Sequence, residues 1–174
     1  MKTILIFITG LLLVAGCNEP KLDNAMAADI LKAEQRYPRA VDYDLYCADP
    51  THARRVLEGG LEEKGLLTVA RSQELGDAGA PLIQLTAAAK PYLLETSDKD
   101  KAIHVQKVKL ADEVLDNVQS VSLADDGKSA TVSYSTCYTN FTPFNVLRTA
   151  PKDNKAYTVA FILTNKGWQV ERKK

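Results

Sequence analysis

From residue 103 to residue 172 the chain reads as strand after strand, and that limits the possible folds more than any other feature. Segments 103–110, 118–123, 130–138, 156–164 and 168–172 are rich in β-branched and aromatic residues and bounded by turn chemistry. Asp125-Asp126-Gly127 and Asn165-Lys166-Gly167 are hairpin signals, because glycine supplies the left-handed backbone that a tight turn needs. An antiparallel sheet follows. In 156–164, Tyr157, Val159, Phe161 and Leu163 alternate with Ala156, Ala160 and Ile162, so both faces are apolar and the strand is expected at the centre of the sheet. In 130–138 the large residues Val132, Tyr134 and Tyr138 share one face, leaving Ser133, Ser135 and Cys137 on the other.

The half before it is helical in character. Met26, Ile30, Ala33 and Tyr37 recur at spacings of three and four, which predicts a helix over 25–37 stopped by Pro38. Residues 40–47 alternate loosely, with Val41, Tyr43 and Leu45 opposed to Asp42 and Asp44, and read as a short strand or an extended loop. Asp49-Pro50 then opens a second helix, predicted to reach Lys64: Asp49 caps free amides, and Pro50 at the first position loses no hydrogen bond. Its buried stripe is Ala53, Val56, Leu57 and Leu61, and Gly65 is a natural stop. Gly59-Gly60 weakens its middle by about 1 kcal/mol per residue, a cost that close packing on a neighbour usually explains. Two apolar runs, 66–71 and 82–85, flank a polar loop as a hairpin, and Thr86 caps a further short helix over 87–94. This helix, strand, long loop, strand, helix order, with Gly65-Leu66-Leu67 and Leu85-Thr86, resembles the latter half of a winged-helix module over residues 49–94.

The other end of the chain carries an address. Lys2 precedes an apolar run over 4–15 broken only by Thr9 and Gly10, and the run closes on Leu13-Val14-Ala15-Gly16-Cys17. It falls short of the roughly 20 residues a spanning helix needs, and it has the charged start, short apolar centre and small residues of a secretory signal. Its ending resembles the lipobox of bacterial lipoproteins. That resemblance implies diacylglyceryl transfer to Cys17, removal of residues 1–16, palmitate or a similar acyl group on the new N-terminus, and membrane tethering through the lipid. Two or more acyl chains anchor stably where one does not. By the same resemblance, Asn18 after the cysteine favours the outer membrane, on its periplasmic face.

Without Lys2 the processed chain has a formal net charge of −1, which gives it no electrostatic reason to seek nucleic acid. The second helix pairs Arg54 and Arg55 with Glu58, Glu62 and Glu63, and the hairpin loop holds Glu74 and Asp77, so the surface that would read DNA repels phosphate. In an oxidising compartment the two cysteines left over, Cys47 and Cys137, are expected to form a disulfide, worth roughly 4.5 kcal/mol of loop entropy if unstrained.

Sites of chemistry are sparse. His52 and His104 lie on different elements without ligand spacing, so no metal and no cofactor are expected. Nucleophile elbows and phosphate loops are missing from the sequence, and the carboxylate pairs Asp42/Asp44 and Asp125/Asp126 suit a solvated face and a turn. Asn140-Phe141-Thr142 is a glycosylation sequon in form only. Tyr43, Tyr46, Tyr138, Phe141 and Phe144 flank the two cysteines in sequence and form the candidate partner surface.

The expectation is an α+β unit: N-terminal helices with a winged-helix-like hairpin over 25–97, packed on a C-terminal antiparallel sheet over 98–174, after a signal at 1–16 and a lipidated tether at 17–24. The expected role is that of a non-catalytic module that binds a protein or another envelope component, in immunity, inhibition, assembly or secretion. The alternative is a small-ligand carrier or hydrolase with a cleft between the helical part and the sheet. Mass spectrometry of membrane-extracted protein should find acyl mass on a peptide that begins at Cys17, and an unprocessed N-terminus would remove the anchor.

Overall fold

The computed structural model describes residues 21–77, 79–148 and 154–172. The expected signal and lipobox, with Cys17, lie outside them. Helix α1 (Asn24–Glu34) is capped by Asp23, whose carboxylate accepts the Met26 amide at 2.8 Å. Strand β1 (Arg39–Tyr46), helix α2 (Pro50–Glu58) and the short hairpin β2 (Leu67–Val69) and β3 (Ile83–Leu85) follow. A 3-10 turn (Ala87–Tyr92) and helix α3 (Asp98–Ala102) lead into β4 (Val105–Leu123) and β5 (Ser129–Thr139). A second 3-10 turn (Pro143–Leu147) precedes β6 (Lys155–Thr164) and β7 (Gly167–Val170).

The molecule is a mixed helix and sheet fold around a curled, antiparallel five-stranded sheet of order β1-β4-β5-β6-β7, with β2 and β3 as a separate pair. Its axis is β4, a strand of 19 residues. Its first half pairs with β1 and its second with β5, and register shifts at Leu110, Asp116 and Gln119 bend it. Two apolar clusters sit along its length. Leu45, Val56, Leu61, Leu67, Ile83, Val108, Leu110 and Phe144 pack beneath α2 and the hairpin. Leu22, Ala27, Leu31, Val118, Val132, Tyr134, Phe161 and Trp168 pack beneath α1. A single long strand thus lets two modest cores share one sheet.

Several expectations change in three dimensions. The first helix ends at Glu34, and its buried residues are Ala27 and Leu31, with Met26 and Ile30 at the flanks of the stripe. Arg36 takes a left-handed backbone, which carries Tyr37 off the helix axis and into the core under α1. Helix α2 closes at Gly59 rather than running to Lys64. A Cβ on Gly59 would come within 2.7 Å of the Val146 side chain, so close packing does explain that glycine, while Gly60 serves the turn with φ +65. The 110–118 interval is continuous strand, because pairing with β1 up to Glu113 overlaps pairing with β5 from Asp112 and holds residues that alternate poorly. Of residues 40–47 all but Cys47 are strand and join the main sheet, so the division at residue 97 does not separate helices from sheet. Strand β6 is not central: it lies between β5 and the short β7, and Ala160 and Ile162 are exposed. Val132 and Tyr134 do face the core, as their alternation requires.

The expected disulfide is not formed: Cys47 and Cys137 are free thiols. Cys47 donates its amide to the carbonyl of His104, at the start of β4, whereas Cys137 lies opposite Val114. Ten residues of strand separate the two positions by roughly 30 Å, against the ~7 Å that a bridge spans between Cα atoms. Counting leftover cysteines ignored where a long strand puts them. Burial also pushes the Cys47 thiol above its ordinary pKa.

Between the two cores β4 carries a buried charge. Glu113, 5% exposed, accepts from Thr136 Oγ1 at 2.8 Å, from Tyr157 at 3.1 Å and from both Nε and Nη2 of Arg39 at 2.8 Å. Burial opposes the charged carboxylate, but the bonds from Thr136 and Arg39, with Tyr157, outweigh it and hold its pKa below the ordinary value. Arg39 lies over the Tyr37 ring at 5.1 Å, and Tyr134 stacks on Tyr157 at 5.3 Å. Burial and the Tyr134 hydroxyl push the Tyr37 pKa upward. A carboxylate depressed in the fold stabilises above its unfolded pKa and loses that contribution as pH falls through the folded one. Glu113→Gln should therefore cost about 2 kcal/mol at neutral pH and flatten the acid limb of the stability curve. Urea melts of both proteins across that range would test it, and equal midpoints at neutral pH would refute it.

Candidate functional site

Only three residues, Cys47 to Asp49, connect the end of β1 to α2. Asp49 accepts the Thr51 amide at 2.6 Å, and this bond above all, opposed by slight desolvation, holds its carboxyl below the ordinary range. The capped first turn therefore folds straight back on the strand. It sets His52 against Tyr43 (ring centroids 5.5 Å) and edge-on to Tyr46 (5.1 Å). His52 Nδ1 accepts the Tyr46 backbone N–H at 3.2 Å, which requires a neutral ring with its proton on Nε2. The Arg55 guanidinium donates to the Tyr43 hydroxyl.

These groups form one wall of a cleft of about 380 Å³ lined by Asp42, Tyr43, Asp44, Tyr46, His52, Lys107 and Arg148. The other wall is charged. Lys107, from β4, bonds Asp44 at 2.6 Å and Asp42 at 3.3 Å, and these carboxylates raise its pKa. Arg148 donates to the Asp42 carbonyl at 3.1 Å. The two aspartates thus share one ammonium. Both carboxylates remain about half exposed, so the cleft is wet.

A second concavity of about 380 Å³ runs between α2 and the hairpin. Ala53, Leu57, Val69 and Leu82 make it apolar, with Arg54 and Arg71 at the rim. Arg71 is tied to Glu62, whose carboxylate also accepts the Val69 amide at 2.8 Å. Among the described residues no three His, Cys, Asp or Glu side chains group to hold a metal ion.

The aromatic residues singled out by sequence are not one surface. Tyr43 and Tyr46 share the cleft. Phe144 is fully buried, edge-on to Tyr92 at 6.0 Å, and belongs to the core rather than to the surface. Tyr138 pairs across from Glu113, some five residues along β4 from the Tyr43 position, and Phe141 is 52% exposed on the connection after β5. Their grouping rested on the disulfide and dissolves with it. Sequence reading did not join His52, Lys107 and Arg148 to Tyr43 and Tyr46. The closeness of Asp49-Pro50 to the strand was the available signal for His52, while Lys107 and Arg148 reach the site only through sheet pairing and the turn after β5.

Comparison of the chain with protein-family models, with curated proteins and with solved structures gives no significant match. The chemistry of the cleft therefore stands on its own residues. Burial lowers the His52 pKa, and the nearby Arg55 adds to this against the pull of Asp49. Neutral His52 is thus the form the fold prefers, and the contact to Tyr46 weakens only on acidification below the ordinary histidine range, through the lowered folded value. An NMR titration of the ring nitrogens should place the His52 midpoint below 6.5, and a midpoint above that value would contradict the arrangement.

Proposed function

We propose that this chain is a lipid-anchored envelope protein that binds another envelope protein through the cleft between β1 and α2, without catalysing a reaction. The observation that carries this reading is the composition of the cleft. Two tyrosines, a neutral histidine and a set of half-exposed charges line a shallow, wet surface, which suits protein contact better than enclosure of a small substrate. Tether and cleft belong to the same reading: lipid on Cys17 would hold the domain at the membrane, with the outer membrane's periplasmic face as the favoured address. The segment from α2 through the β2–β3 hairpin is read as a winged-helix-like module. Glu58, Glu62 and Glu63 beside its arginines suit a protein partner rather than nucleic acid.

A second reading is favoured by one specific observation, the apolar floor of the groove between α2 and the hairpin. Ala53, Leu57, Val69 and Leu82 beneath Arg54 and Arg71 would suit a small apolar ligand that ends in an acid, carried rather than converted.

In intact cells, a photo-crosslinking residue in place of Tyr46 should capture a discrete envelope protein, and one in place of Leu123, exposed at the far end of β4, should not. Tyr43→Ala should weaken binding of the captured protein by about tenfold. Equal capture from both positions, or none from Tyr46, would set this function aside.

A further inference from the structure

Leu22 is 2% exposed and belongs to the core beneath α1, with Ala27, Leu31, Val118 and Trp168. One residue later Asp23 caps the helix, and the Asn24 side chain donates to the Val118 carbonyl of β4 at 3.3 Å. The chain is therefore fixed to the fold from Leu22 onward, while Lys21 before it is exposed. Leu22 follows Cys17 by five residues. Fully extended, a chain of that length spans about 18 Å at most. Lipid on Cys17 would set that residue at the level of the headgroups, so the start of α1 could not stand farther than this from the bilayer. A long, coil-like tether lets a domain turn any face to the membrane, whereas this one is short and ends among packed side chains.

The same strand links this point to the cleft. Val118, beside the start of α1, and Lys107, in the cleft, lie eleven residues apart on β4. At the rise of a strand that is about 36 Å, shortened by the bend at the two register shifts between them. The tether thus enters beside the second half of β4, and the cleft lies along the first. Tether and strand together give the cleft a reach of roughly 50 Å from the headgroups. Around the start of α1, Lys21 and Lys32 offset Asp23 and Asp116, and residues 117–123 carry no charge. Attraction to anionic headgroups therefore does not replace the tether as the cause of this orientation.

We infer that the short tether holds the face where α1 begins on β4 against the lipid surface and leaves the cleft as the outward end, so that the partner's matching surface stands within roughly 50 Å of the same membrane. This rests on the lipid anchor and on the protein-binding reading of the cleft, and it specifies where the partner is met. A membrane-proximal partner fits that reach, and one that works farther from the bilayer does not.

The processed, acylated chain in vesicles of phosphatidylethanolamine and phosphatidylglycerol tests this, with nitroxide-labelled headgroups as the quencher. A fluorescent residue in place of Gln119, exposed beside Val118, should be quenched severalfold more than one in place of Tyr46. Insertion of about twelve glycine and serine residues after Asn18 leaves the described fold intact and should even out the two positions, because the longer coil frees the domain to turn. Equal quenching in the native-length chain, stronger quenching at Tyr46, or a difference that survives the longer tether would overturn the inference. If the acyl mass is present and Tyr46 still captures a partner in any of those cases, the anchor and the cleft reading survive and the orientation does not. If the difference is seen but nothing is captured from Tyr46, the orientation stands and the cleft reading falls.

Discussion

The rest of the structure depends on the continuity of β4. Two cores of this size, one beneath α1 and one beneath α2 and the hairpin, would each be marginal alone, because small apolar clusters bury little of what they could expose. A strand that runs through both makes them one sheet, so neither can open without disturbing the ladder of the other. The register shifts at Leu110, Asp116 and Gln119 bend that strand so that it serves two clusters. At the junction stands Glu113, a charge in a position where packing alone would call for an apolar residue. Its bonds to Arg39 on β1, Thr136 on β5 and Tyr157 on β6 tie four strands together at the point where neither core reaches.

The cleft follows from the same continuity. Lys107 lies on the part of β4 that β5 does not pair, opposite Asp44, and its ammonium neutralises part of the acid on the edge strand. From the other side, the short connection to α2 swings His52 over the strand end and closes the last rung. Between them lies a stretch of edge strand that carries charged side chains and is capped in part by His52 and Arg148. Natural sheets guard such edges with charged side chains against indiscriminate pairing.

Where local chemistry governs, the sequence was readable. Asp49-Pro50 starts α2, the hairpins at Gly127 and Gly167 form with positive φ, and the Val132/Tyr134 face is buried as alternation demands. Errors arose where distant pairing overrode local pattern. Residues 110–118 alternate poorly, yet pairing that passes from β1 to β5 at Asp112 and Glu113 keeps them in one strand. Strand β6 is apolar on both faces, yet β7 is short and one face stays exposed. Glu113 fell outside any motif because its partners come from three other strands, although a lone acid within a continuous strand pattern would have flagged it had the strand been recognised as unbroken.

By itself the sequence determined the apolar run that closes on Cys17, the helix starts, the turn positions and the antiparallel character of the second half, since each depends on residues within a few positions of one another. Only the tertiary structure decided that Cys47 and Cys137 stand far apart, that Phe144 is core while Tyr43 and Tyr46 meet His52, and that β1 is the end strand of the sheet beside β4. Those outcomes turn on which strand lies beside which and in what register, and strand pairing joins residues whose separation along the chain carries no local trace.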